Sequence, residues 1–318
     1  MVNEADISAK NEGVGKETKE RIVIFLIITF AVAWSLFLMI PLSGTVYGSS
    51  ASAVFLVFAM MAPTIGNLAT RVITGEGWKN MYLNPNFKGH GRAYAIVFFA
   101  PTVLILLSMG FYFILFQKQF DSELTTFSAV LAQSGQTTGI TPQLMLIISL
   151  AQMALIGPII NLVPTMGEEL GWRGYLLPKL RTLYPDRKAF LISGVIWGVW
   201  HAPIIAMGHN YGTAYFGYPW LGILMMIVFC MALGTIEGYA SIRMNSAIPA
   251  GMIHSAVNAG AALPIYLIQG PYNPIIGPAI TGLVGGLPVF LLAAFFWWHS
   301  KSKRQPDLGM TDSSVPIA

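Results

Sequence analysis

Three short stretches of the 318-residue chain carry the groups that could do chemistry. The first is Met166-Gly167-Glu168-Glu169-Leu170-Gly171-Trp172-Arg173. On a helix, Glu169 and Arg173 are i,i+4 neighbours with the acid first, the favourable order for an ion pair. Glu168 points about 100° away, so one carboxylate has a built-in partner and the other is free to react. The second stretch runs from Trp197 to His201, and the third from His254 to Asn258. Spacing of four residues puts Trp197 with His201, and His254 with Asn258, on a common helix face.

A carboxylate, two imidazoles and a carboxamide suit hydrolysis by an activated water. Glu168 is expected as general base, with His201 holding and polarising the water. His254 and Asn258 are expected to donate hydrogen bonds to the oxyanion of a tetrahedral intermediate. Glu168, His201 and His254 could equally ligate Zn²⁺ with a position left for water, and the sequence leaves both readings open. Other hydrolase signatures are missing: there is no His-Glu-x-x-His, no Gly-x-Ser-x-Gly, and no Asp in any long apolar run. Ser255 adjoins His254, but neighbours on a helix point different ways, so a Ser–His dyad is a poor fit.

The elements that must position these groups follow from composition. The chain is 55% hydrophobic and 10% charged, with a mean hydropathy of +0.63. Soluble domains carry about 25% charged residues, so a soluble fold is excluded. A net charge of +4 from only 18 Lys and Arg gives no nucleic-acid surface. Eight apolar stretches reach or approach the ~20 residues that span a bilayer: 22–42, 51–70, 93–116, 143–163, 189–207, 219–242, 247–268 and 276–298. The expected fold is an all-α membrane protein in which eight transmembrane helices form one bundle around a polar cavity. Its domain covers 21–300, between tails at 1–20 and 301–318. The first span is too long for a signal-peptide core.

Sixteen of the 18 basic residues lie before the first span or in alternate connections, including Arg21, Arg71, Lys79, Arg181, Arg187, Arg243, Lys301, Lys303 and Arg304. The positive-inside rule therefore places both termini in the cytoplasm. Counted at 1.5 Å per residue from Arg181, Arg187 and Arg243, the residues Glu168, His201 and His254 reach similar depths, ~17–21 Å. For Glu168 that depth depends on Pro158 and Pro164 bending a stretch too long for one straight crossing. Ionisable groups at that level mark function by default. Glu237 stands apart, as an interfacial or structural carboxylate with Arg243 as a partner. Cys230 is expected as a small core residue. His90 and His209 fall in loops, and 119–142 reads as an external loop.

The order Glu168-Glu169-x-x-x-Arg173, aromatic-x-x-x-His201, His254-x-x-x-Asn258 in an eight-span protein resembles the CPBP family, which includes the type II CAAX prenyl endopeptidases and prokaryotic relatives linked to bacteriocin processing or immunity. The motifs occupy 168–258. The resemblance implies an intramembrane endopeptidase whose catalytic groups map onto Glu168, His201, His254 and Asn258, supported by Glu169, Arg173 and Trp197. Trp197 stands where Phe is more usual; an aromatic is retained, and the difference is expected to leave the chemistry unaffected. For CAAX substrates the resemblance implies a site open to the cytoplasm and removal of three residues after a prenylated Cys. Peptide or prenylated protein substrates and membrane lipid are the expected partners, in a prokaryotic cell membrane. A proton-coupled transporter and a non-catalytic immunity-type protein are the competing readings.

Overall fold

Within a bilayer each backbone N–H and C=O must find its partner inside its own segment, so apolar runs of this length fold as helices. The computed structural model describes residues 4–133 and 139–300. The expected tail at 301–318, with Lys301, Lys303 and Arg304, lies outside the described residues. Among those described there is no strand, only an isolated bridge between Phe120 and Ile268.

The helices are α1 (Glu4–Leu42), α2 (Ser50–Met60), α3 (Ala62–Ile73), α4 (Gly91–Leu115), α5 (Thr125–Gln133), α6 (Pro142–Leu155), α7 (Gly157–Ile160), α8 (Leu162–Gly171), α9 (Leu177–Leu183), α10 (Asp186–Trp200), α11 (Ala202–Ile205), α12 (Trp220–Met244), α13 (Ile248–Gly260) and α14 (Leu287–His299). Four helical stretches are long and apolar enough to cross a membrane: Gly13–Leu42, Ser50–Ile73, Gly91–Leu115 and Trp220–Met244. Their outward faces carry exposed Ile27, Leu38, Val54, Phe99, Leu107 and Leu224, the apolar surface that lipid tails take. The chain is an integral membrane protein. The other four apolar stretches hold shorter or interrupted helices. The stretch from Pro142 breaks ahead of Pro158 and Pro164, at Ile156 and Asn161, where a proline's missing N–H belongs to a first turn and costs nothing.

Two expected segments differ. Residues 4–19, expected as a tail, are already helical and continuous with the first span. The stretch 119–142 is not all loop: Asp121 accepts hydrogen bonds from the Thr126 N–H and the Thr125 hydroxyl, both at 2.8 Å, and α5 starts there. A carboxylate at a helix N-terminus satisfies donors that would otherwise be orphaned.

Side-chain bonds gather the connections into two ends. At one, Arg21, Arg71 and Lys179 surround Glu76, Asn86 reaches the carbonyls of Met244 and Asn245, and Arg187 reaches the carbonyl of Trp297. At the other, Tyr47 bonds His209, Gln119 bonds the Pro271 carbonyl, and Tyr211 bonds the Thr281 carbonyl. Nearly every described basic residue outside α8–α9 belongs to the first end; Lys118 belongs to the second.

Glycines let the functional helices approach closely. A Cβ at Gly198 would lie 2.4 Å from the Ile227 Cα, and one at Gly194 2.5 Å from the Met231 Cα, so α10 and α12 touch backbone to backbone. Gly171 seats α8 against the Pro63 backbone, and Gly167 makes room for the Met61 side chain.

Glu76 gives the basic end a pH-dependent lock. Burial acts to raise its pKa, but the Lys179 ammonium at 2.6 Å, the Tyr175 hydroxyl and Arg71 hold it below the ordinary 4.5. A carboxyl with a depressed folded pKa stabilises the fold above its unfolded pKa and loses that effect as pH falls through the folded value. Glu76→Gln is therefore expected to lower the detergent-solubilised protein's unfolding temperature at neutral pH, with the gap to wild type closing below 4.5. Thermal unfolding across pH checks this, and a gap constant with pH contradicts it.

Candidate active site

The residues after Gly171 do not continue as α-helix. Trp172–Leu176 form a π-helical turn before α9, a feature that often accompanies functional sites. It follows α8 directly, and both glutamates of α8 are buried, Glu168 at 2% exposure and Glu169 at 0%.

Glu169 meets its expected partner: Arg173 Nη1 lies 2.8 Å from its Oε1. The guanidinium also reaches Glu237 Oε2 at 2.5 Å and lies over the Trp197 ring, 4.4 Å from its centroid. Glu237 is thus fully buried and paired with Arg173, not with Arg243, whose guanidinium bonds the Tyr239 hydroxyl instead. The i,i+4 rule found the first partner of Arg173. The second comes from α12, more than 60 residues on, and had no local signal. His254 completes the cluster, with its Nδ1 3.0 Å from Glu169 Oε1.

Glu168 faces away from this network, as its 100° offset predicts. Two indoles hold it: Trp197 donates to Oε2 at 2.9 Å and Trp172 to the same oxygen at 3.3 Å. Oε1 has no protein donor among the described residues. Here the Trp at 197 matters, because a Phe has no N–H to give. Trp197→Phe is expected to keep the packing and lower kcat about tenfold with KM little changed, since a hydrogen bond to a charged group contributes about 1.5–3 kcal/mol. Unchanged kcat in that variant would contradict the assignment.

His201 ends α10, and its Nδ1 lies 2.8 Å from the Trp197 carbonyl. A carbonyl only accepts, so Nδ1 carries a proton, and in the neutral ring Nε2 keeps its lone pair. By the same logic His254 donates from Nδ1 to Glu169. Glu168, His201, His254 and Asn258 all line one cavity of about 680 Å³, whose walls include Trp197, Trp200, Phe229 and Val257. Asn258, four residues from His254 on α13, is exposed to this space. The structure therefore brings all four proposed catalytic residues to one cavity. Ser255 points elsewhere, donating to the Gly157 carbonyl at 2.8 Å. Cys230 is a fully buried free thiol whose Sγ lies 3.9 Å from His201 Nδ1.

A family model described as type II CAAX prenyl endopeptidase Rce1-like matches residues 144–260. This stretch of the chain is similar to that family. Every residue of the three motifs lies in it, as does Glu237. The CAAX prenyl protease 2 of Methanococcus maripaludis is 31% identical over 98 residues, which cover 30% of this chain and 36% of that protein.

Within residues 144–260 the zinc reading meets a different donor set. Among the described residues, the three donors that gather within 4.8 Å are Glu169, Glu237 and His254, not Glu168, His201 and His254. Both gathered carboxylates already hold the Arg173 guanidinium. A divalent cation there would face that fixed positive charge at close range, so this donor set fits Arg173 and not a metal.

One lining residue escaped the sequence. His209, placed in a loop by its position, lines the cavity beyond His201, the two rings parallel with centroids 6.4 Å apart. It sits on the turn after α11 and bonds the Tyr47 hydroxyl, a contact 162 residues apart that no spacing could reveal.

Proposed function

We propose that the protein is an intramembrane endopeptidase of eight crossings with both termini cytoplasmic, cleaving peptide bonds with a water activated by Glu168 and His201. The observation that carries this reading is the convergence of Glu168, His201, His254 and Asn258 on one cavity from helices far apart in the chain. The similarity of residues 144–260 to the Rce1-like endopeptidases supports peptide-bond chemistry. The gathering of alternate connections at two ends of the molecule supports the even number of crossings.

In this mechanism Glu168 takes a proton from the water through Oε1, while the Nε2 lone pair of His201 holds the same water in place. The hydroxide attacks the peptide carbonyl. Asn258 donates to the developing oxyanion, and His254 does so from its doubly protonated ring, since Nδ1 is engaged by Glu169. Protonated Glu168 then delivers its proton to the leaving amine, which closes the proton balance. A carrier reading has less support, because the lining includes nothing from Glu169 through Ile196.

The test is purified protein in liposomes with quenched peptides, prenylated and unprenylated, before and after 1,10-phenanthroline. Cleavage that survives the chelator is the expected result. No cleavage of either peptide overturns the peptidase reading, and loss to the chelator restored by zinc overturns the metal-free water.

A further inference from the structure

The position of the cavity along the molecule says from which face it is reached. Its lining runs from Glu168 and His254 outward to Tyr47, His209, Tyr211 and Tyr272. Those last four sit on the connections 43–49, 206–219 and 268–286, which contain no Lys, Arg, Asp or Glu. They belong to the end of the molecule opposite the Glu76 cluster.

The other direction is closed. Between Glu168 and the basic end lie Trp172, Tyr175, Leu176, Leu177, Leu180 and Phe190, none more than 3% exposed. Above them Arg21, Arg71 and Lys179 close over Glu76 and the Tyr175 hydroxyl. No lining residue comes from 61–167, 169–196 or 234–253 among the described residues. The packed half contains the Arg173 network, and the open half contains the site.

We infer that the site is reached from the face opposite the basic residues, and that its substrate is an uncharged, largely apolar peptide segment presented at that face. Since basic residues mark the cytoplasmic side, this face is extracytoplasmic, the reverse of what the resemblance to CAAX enzymes implies. The chemistry of the wall agrees. Among the described residues it contains no Lys or Arg to receive a C-terminal carboxylate, and it offers aromatic and hydroxyl groups from Tyr47, Tyr211, Tyr266 and Tyr272. Burial lowers the His209 pKa to about 4, so the mouth stays neutral at physiological pH. The inference rests on the endopeptidase reading for its substrate and on the cavity alone for its sidedness.

Cysteine accessibility tests it, helped by the chain having a single Cys. In a Cys230→Ser background, Ala262→Cys places a thiol on the cavity wall and Lys79→Cys places one at the exposed basic end. A membrane-impermeant sulfonated maleimide is applied to intact spheroplasts and to inside-out vesicles. The expected pattern is labelling of Ala262→Cys in spheroplasts with loss of labelling in inside-out vesicles, and the reverse for Lys79→Cys. Labelling of Ala262→Cys from the Lys79 side, from both faces or from neither overturns the inference. Labelling needs no turnover, so the two readings fail separately. Inactive protein with the expected labelling defeats the peptidase reading alone, and active protein labelled from the Lys79 side defeats the sidedness alone.

Discussion

Replacing Glu168 with Gln is expected to lower the rate of the proposed peptide cleavage about 10²- to 10⁴-fold, the range that a positioned general base contributes. Gln keeps the shape of the side chain, and its carbonyl oxygen still accepts from the indoles of Trp197 and Trp172, which hold Oε2 in the wild type. What it loses is the ability to take a proton through Oε1. The loss therefore belongs to kcat, with unfolding temperature and detergent elution profile unchanged. Glu169→Gln makes an informative contrast, because that carboxylate holds Arg173 and His254. Its variant is expected to lose stability as well as rate. Equal activity of Glu168→Gln and wild type on a quenched peptide would remove Glu168 from the chemistry.

The second large effect concerns stability. Arg173 is 3% exposed and lies between Glu169 and Glu237, both 0% exposed. Breaking a buried pair by removing one partner costs about 3–5 kcal/mol, because the remaining charge is left uncompensated. Arg173→Met strands Glu237 and leaves Glu169 only His254, so the unfolding temperature is expected to fall on the order of 10 °C. Adding Glu237→Gln removes one stranded charge and should recover part of the loss. Arg173→Lys should recover less than its charge suggests, since an ammonium lacks the planar fork that spans both acids. A double variant less stable than Arg173→Met alone would contradict this account of the network.

The motifs were legible because helix geometry is local. Spacing of four placed Arg173 against Glu169 and His254 beside Asn258, and the 100° offset turned Glu168 away from Arg173, all as found. Low charge and alternate basic connections gave the all-helical membrane class and the two-ended arrangement. Other features were not legible because their causes are distant in the chain. Glu237 found Arg173 across α12, and His209 came to the cavity through Tyr47. Trp197 acquired a donor role because the α10–α12 glycine contact and the seat of α8 on Met61 and Pro63 bring its ring to Glu168. The counting that set Glu168, His201 and His254 at similar levels fits their sharing one cavity, but the direction in which that cavity opens could not be counted. That depends on which half of the molecule packs solid, and packing is a property of all the helices together.

The central claim is that Glu168 and His201 share one water in the cavity that Asn258 lines. An experimental structure at a resolution that shows ordered solvent, with anomalous data at the zinc edge, tests it most directly. The predicted result is a water within about 3 Å of both Glu168 Oε1 and His201 Nε2, the reach of a direct hydrogen bond, with no anomalous peak. A zinc ion in that position, or the two groups too far apart to hold one water, would contradict the account.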